Sequence, residues 1–169
     1  EPDDDTGAFL AGIERALERG VRLLQLRARQ AGPARLRELA TAVQRLAQVH
    51  GARVLINGQA ELAIELGLDG VHLPAGALTP VRPVPPGMLC GASCHDAREL
   101  AAALVAGVDY VVLGPVAETA SHPGAVPLGW QAAAALIEDY PLPVYLIGGL
   151  GPGDLDRIPA AVRSILLDP

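Results

Sequence analysis

Tyr110-Val-Val-Leu-Gly-Pro-Val-Ala-Glu-Thr-Ala-Ser-His-Pro-Gly-Ala-Val-Pro-Leu-Gly129 opens on four residues, Tyr110 to Leu113, that read as a strand buried on both faces. Gly114-Pro115 ends it, because proline cannot continue a central ladder. A loop of about a dozen residues then precedes Trp130, where a helical pattern begins, and loops of that length are usually functional or disordered. Three prolines and three glycines among apolar residues make this one too rigid for a linker. Glu118, Thr119, Ser121 and His122 gather just beyond the strand's carboxyl end, the end where parallel α/β folds bind ligands. The loop reads as the wall of a small-molecule site.

Outward from it, strand and helix alternate along the chain. Helical spacing covers residues 7–19, with Thr6 as N-cap, and then residues 33–49, where Pro33 suits a first turn. Further helices are expected over 60–66, 96–106 and 130–140, with a weak one over 153–160. Strands are expected at 21–26, 53–56, 70–73, 88–93, 110–113, 144–147 and 162–167. Residues 74–87 hold five prolines and allow one helical turn at most. Glycine-apolar openings recur at Gly20-Val21, Gly70-Val71 and Gly107-Val108. Such alternation means a parallel sheet. The expectation is one α/β domain over 1–169, a TIM (β/α)8-type parallel barrel lacking its first strand and last helix. An open doubly wound sheet is the alternative, but no GxGxxG opens a helix.

Half of the 169 residues are hydrophobic and only 3% are aromatic, so the core is aliphatic, as in buried parallel sheets. The net charge of −6 argues against nucleic-acid or membrane-surface binding. No apolar run approaches the ~18 residues of a membrane span. The acidic start Glu1-Pro-Asp-Asp-Asp5 has the wrong sign for a signal peptide. Cys90 and Cys94, four apart in one strand, lie ~13 Å apart, beyond disulfide reach, which implies reduced thiols and a cytoplasmic protein.

Several phrases then follow one another in order: Leu24-Gln-Leu-Arg27, Asn57, Asp69-Gly-Val-His-Leu73, Gly91-Ala-Ser-Cys-His95, Gly114-Pro115, Ser121-His-Pro-Gly-Ala125, Pro127-Leu-Gly129 and Ile147-Gly-Gly149. The ordered set resembles thiamine-phosphate synthase and its relative, the thiazole tautomerase of the TenI type. The wording Ala120-Ser-His-Pro-Gly-Ala125 with Pro127-Leu-Gly-Trp130 is most similar to versions fused behind a Nudix hydrolase domain.

The resemblance implies a (β/α)8 barrel that joins an aminopyrimidine pyrophosphate to a thiazole phosphate. By it, Gln25, Arg27 and Arg29 serve the pyrophosphate, with Arg29 standing where the synthase has lysine. Asn57 and Ser93 face the pyrimidine. Thr119, Ser121 and the backbone at Gly149 meet the thiazole phosphate. His122 takes the place of a synthase lysine, and with Ser93 it is the candidate catalytic residue. Magnesium is the family's ion, yet its two aspartate positions are Gly58 and Ala77 here, so no metal site is expected. The tautomerase's histidine position holds Pro115. The expected function is a thiamine-pathway domain that binds a phosphorylated thiazole and has weak enzymatic capacity. The alternatives are a thiazole tautomerase and a silent ligand-binding domain of a Nudix fusion.

From the residues alone, simpler roles remain open. Arg27 could pair with Glu61 or Glu65, and Asn57 could cap the helix near Ala60. His72, His95, His122 and Cys94 invite zinc without its clustered spacing. His95-Asp96 reads as a helix start, and Glu118 as a solvated glutamate or a desolvated base.

Overall fold

A computed structural model describes residues 6–120, 124–157 and 164–165. The chain divides into two compact units: one runs to His72 and takes in Pro83–Leu89, and the other holds Leu73–Arg82 and the chain from Cys90.

In the first unit the order is α1 (Thr6–Glu18), β1 (Leu23–Leu26), α2 (Pro33–Val49), β2 (Arg53–Asn57), α3 (Ala60–Leu66) and β3 (Gly70–Leu73). β2 pairs in parallel with β1 and with β3, in register Leu26↔Ile56 and Asn57↔His72. Side chains alternate across a strand, so Leu26, Val54 and Ile56 share one face. There they pack with Leu17 of α1 and with Leu36, Leu39, Ala40 and Val43 of α2. Burying each of the larger ones stabilises the fold by about 1.5–3 kcal/mol. Gln25, Leu55, Asn57 and His72 take the opposite face.

Several boundaries differ from the sequence reading, three of them for visible reasons. α1 begins at Thr6 itself. β1 starts at Leu23, because Val21 N–H turns back to the Ala16 carbonyl while the Arg22 guanidinium donates to the Leu17 carbonyl. In the second unit, the helix that opens at Trp130 stops at Ile137, three residues before Tyr140. Pro141 and Pro143 follow, and a residue before proline disfavours the helical region.

Gly70 shows how closely backbone passes backbone here. A Cβ built on it would lie 1.9 Å from the Leu89 carbonyl oxygen. Leu89 N–H donates to the Asp69 carbonyl at 2.7 Å, which fixes that approach. Gly70→Ala is therefore expected to lower stability by about 1–3 kcal/mol, read as a shift in the urea midpoint. Gly76→Ala is the control, because nothing lies within 4 Å of its added methyl. Equal midpoints for the two variants would refute the packing account.

The second unit runs β4 (Leu89–Cys94), α4 (Ala97–Ala106), β5 (Tyr110–Leu113), α5 (Trp130–Ile137), β6 (Val144–Leu146), a 3-10 segment (Pro152–Arg157) and β7 (Ser164–Ile165). β4 through β7 pair in parallel in chain order. Cys90, Ala92, Cys94, Val111, Leu113, Val144 and Leu146 are buried on one face. Gly91, Ser93, Tyr110, Val112 and Tyr145 take the other. Gly91 leaves room for Tyr110, whose Cζ would be 2.1 Å from an added Cβ. The Tyr110 ring then meets Tyr145 edge-on, with centroids 5.5 Å apart. Both cysteines are free and buried, and burial pushes the Cys94 thiol up to about 12.

A short repeat organises the strand entries. Gly67 and Gly107 end α3 and α4 in the left-handed region, at φ 61° and 68°. An apolar residue and then an aspartate follow each. The Asp69 carboxylate accepts from Val54 N–H at 2.8 Å, and Asp109 accepts from Cys90 N–H at 2.7 Å. Asp109 also pairs with Arg82 at 2.7 Å, which ties down the proline-rich segment at Arg82. Each carboxylate thus accepts from the amide of a strand's second residue.

Candidate functional site

The carboxyl ends of β5 and β6 carry the loop from which the sequence reading began. It leaves β5 through a cis Gly114–Pro115 bond. Val116 and Ala117 N–H donate to the Ile147 and Gly148 carbonyls, both at 2.9 Å, so the loop's first limb lies along the exit of β6. Its returning limb closes on the first, with Leu128 and Gly129 N–H donating to the Pro115 and Val116 carbonyls at 2.9 Å. Between the limbs lies an open cavity of about 610 Å³, lined by Glu118, Thr119, Ala120 and residues 124–127. Thr119 is half-buried and Glu118 exposed.

Gly148 and Gly149 make this closeness feasible. Their φ values are 95° and 65°, and a Cβ on Gly149 would lie 2.2 Å from the Glu118 carbonyl oxygen. The β6 exit therefore runs against the loop as bare backbone next to Thr119. Ser121 and His122, expected here from the sequence, lie outside the described residues.

Ser93 is half-buried on β4. Two residues on, the His95 imidazole Nδ1 sits 2.8 Å from Glu99 Oε2, and the same oxygen accepts from His95 N–H at 2.8 Å. Asp96 caps α4 by accepting from Glu99 N–H at 2.8 Å. The expected helix start is thus present, and its first turn also holds the imidazole, a contact absent from the sequence reading.

In the first unit Gln25 donates from Nε2 to Asn57 Oδ1 at 3.1 Å. This gives Asn57 a partner on β1 instead of a capping role. The residue before α3 is Gln59, with no side-chain cap. Arg27 and Arg29 are exposed just past β1, without a carboxylate partner among the described residues. Glu65, the suggested partner of Arg27, is held by both guanidinium nitrogens of Arg37 at 2.5 and 2.7 Å. Arg37 depresses the Glu65 carboxyl through those hydrogen bonds. His72 is 2% exposed, and desolvation lowers its imidazole to about 4.

The two positions that the resemblance gives to magnesium ligands offer no side-chain oxygen. Gly58 turns at φ 70° and donates its N–H to the His72 carbonyl at 2.9 Å. Ala77 ends a 3-10 turn, Ala75–Ala77. Among the described residues, no three of His, Cys, Asp and Glu are grouped to hold a metal ion. No helix among them is long and apolar enough to cross a membrane.

Comparison with known proteins adds four findings. A family model described as thiamine monophosphate synthase matches residues 1–164. A putative thiamine-phosphate synthase of Geobacter sulfurreducens is 36% identical over 174 residues, covering 95% of this chain and 81% of its own. A bifunctional thiamine biosynthesis protein of Symbiobacterium thermophilum is 39% identical over 156 residues, covering 88% of this chain and 32% of its own. Among solved structures, a thiamine phosphate pyrophosphorylase from Pyrococcus furiosus superposes with a TM-score of 0.81 at 23% identity, covering 96% of this chain and 80% of that one. The last places the fold in the TIM-barrel-like α/β class expected from the alternation.

Proposed function

The chain belongs to the thiamine monophosphate synthase family, and on that premise we propose that it binds a phosphorylated thiazole in the cavity between the limbs of the β5–α5 loop. The observation that carries this reading is the bare backbone at Gly148-Gly149 beside half-buried Thr119. Backbone N–H groups and a hydroxyl suit a phosphate, which has several acceptor oxygens and needs close approach. Ser121 and His122 would add a hydroxyl and a titratable imidazole, as the resemblance implies. Ser93 would serve the pyrimidine.

The first unit keeps its own polar row, Gln25, Asn57, Arg27 and Arg29, to which the resemblance gives the aminopyrimidine pyrophosphate. Gly58 and Ala77 do not fit magnesium, which takes oxygen ligands. We read the chain as a member of the thiamine pathway that retains ligand recognition and has lost metal-assisted displacement. A fused partner domain, such as a Nudix hydrolase, fits a family whose members include a bifunctional protein.

Calorimetry with thiazole phosphate tests the reading. Binding is expected, and Thr119→Val should weaken it about tenfold, the worth of one hydrogen bond to a charged group. Absence of binding, or a Thr119→Val affinity equal to that of the unmodified chain, would overturn it.

A further inference from the structure

We infer that Tyr145 is a specificity-determining residue, setting how large a ring the second unit accepts beside Ser93. The inference rests on the reading above that Ser93 serves an aminopyrimidine. It concerns the face of the sheet that carries Ser93, and not the cavity between the loop limbs.

Register assembles that face. Gly91 pairs with Tyr110, Ser93 with Val112, and Val112 with Tyr145. Side chains alternate across a strand, so these five residues lie on one side of the sheet in two rows. Gly91 and Tyr110 form the row nearer the amino ends of the strands. Ser93, Val112 and Tyr145 form the next, towards the carboxyl ends. Tyr110 and Val112 are buried, yet Ser93 and Tyr145, at the two ends of the second row, are half-buried. Tyr145 stands on a strand paired on both sides, so its exposure comes from the open face and not from a sheet edge.

The first row is filled. Gly91 has no side chain, and the Tyr110 ring takes the space: a Cβ there would lie 2.1 Å from Cζ and 2.4 Å from the hydroxyl oxygen. Tyr110 is thereby pinned over β4. Tyr145 brings its ring to it from β6, with centroids 5.5 Å apart and planes at 84°. The two rings make an aromatic floor across three strands. Ser93 stands two residues beyond Gly91 along β4, about 7 Å closer to the carboxyl ends, so a planar ring that meets its hydroxyl rests towards this floor.

Of the floor's members, Tyr145 is the one that can set size. Tyr110 and Gly91 are fitted to each other, and Val112 is short and covered. Tyr145 supplies the accessible part, in the same row as Ser93. Shortening it removes a ring from the floor and leaves Tyr110 in place. An apolar wall of this kind discriminates by bulk, and one methylene more or less is commonly worth roughly 10–200-fold.

The test titrates two probes by calorimetry, an aminopyrimidine pyrophosphate and an analogue whose ring carries a butyl group. The unmodified chain should bind the smaller probe at least tenfold more tightly. Tyr145→Val should bring the two affinities within about twofold, while Tyr145→Phe, which keeps the ring, should retain the preference. Tyr145→Leu is measured beside Tyr145→Val, with urea midpoints for both, so that one folded variant with a shortened side chain carries the test. A merely structural role would weaken both probes alike and leave their ratio unchanged. Failure of the unmodified chain to bind either probe would remove the pyrimidine reading and the inference together. Binding without a size preference, or a preference unchanged in the shortened variants, would overturn the inference alone.

Discussion

Stability is expected to fall by about 3 kcal/mol between pH 7 and pH 4 through His72 alone. His72 is buried on β3, and desolvation of its charged form lowers its pKa from 6.5 to about 4. The unfolded chain therefore binds the proton more readily than the folded one. Above pH 6.5 both states are neutral and nothing is lost. As pH falls from there towards 4, the unfolded state gains protons that the folded state refuses, and unfolding is favoured. Below about 4 the folded form protonates too and the difference stops growing. Carboxylates also titrate in this range, so the readout is a difference. Urea midpoints are measured from pH 7 to pH 4 for the chain and for His72→Gln. The gap between the two curves should close by most of that amount at low pH. Parallel curves would show that His72 is not held neutral by burial.

Much of this architecture was legible because buried parallel strands advertise themselves. Gly70-Val-His-Leu73 and Tyr110-Val-Val-Leu113 are short apolar runs bounded by turn residues, and both strands form with those limits. α3 matched for the same reason, with periodic apolar residues and Gly67 to stop it. What escaped were interactions between distant positions. Asp69 and Asp109 serve amides 15 and 19 residues earlier, and Gly-x-Asp before a strand reads locally as a turn. The closure of the β5–α5 loop on the β6 exit was equally hidden, since backbone hydrogen bonds leave no mark on residue type. Gly149 was legible as a possible backbone approach, but not Glu118 as the neighbour that requires it. At His95 the helix-start reading was right as far as it went. The i,i+4 spacing to Glu99 was the signal that could have exposed the held imidazole.

The largest expected effect concerns the family reaction. Turnover of an aminopyrimidine pyrophosphate with thiazole phosphate should be on the order of a thousandfold below that of a chain with both metal carboxylates. The C–O bond to pyrophosphate breaks with its electron pair leaving on a group that carries about three negative charges. Arg27 and Arg29 offer two fixed positive charges, both exposed and therefore screened by water. Gly58 and Ala77 contribute no side-chain carboxylate to a divalent cation. On the reading proposed above, charge developing on the leaving group lacks a preorganised counter-charge, commonly the largest single catalytic contribution. The proposed thiazole binding needs only one phosphate to be met and is expected to survive without the metal. The most direct test is one coupled assay for thiamine phosphate, with saturating magnesium, on the chain and on Gly58→Asp/Ala77→Asp. The unmodified chain should bind thiazole phosphate yet form product barely above background, and the two aspartates should raise the rate at least tenfold. Product formed at ordinary enzyme rates by the unmodified chain, with no gain from the aspartates, would contradict the account.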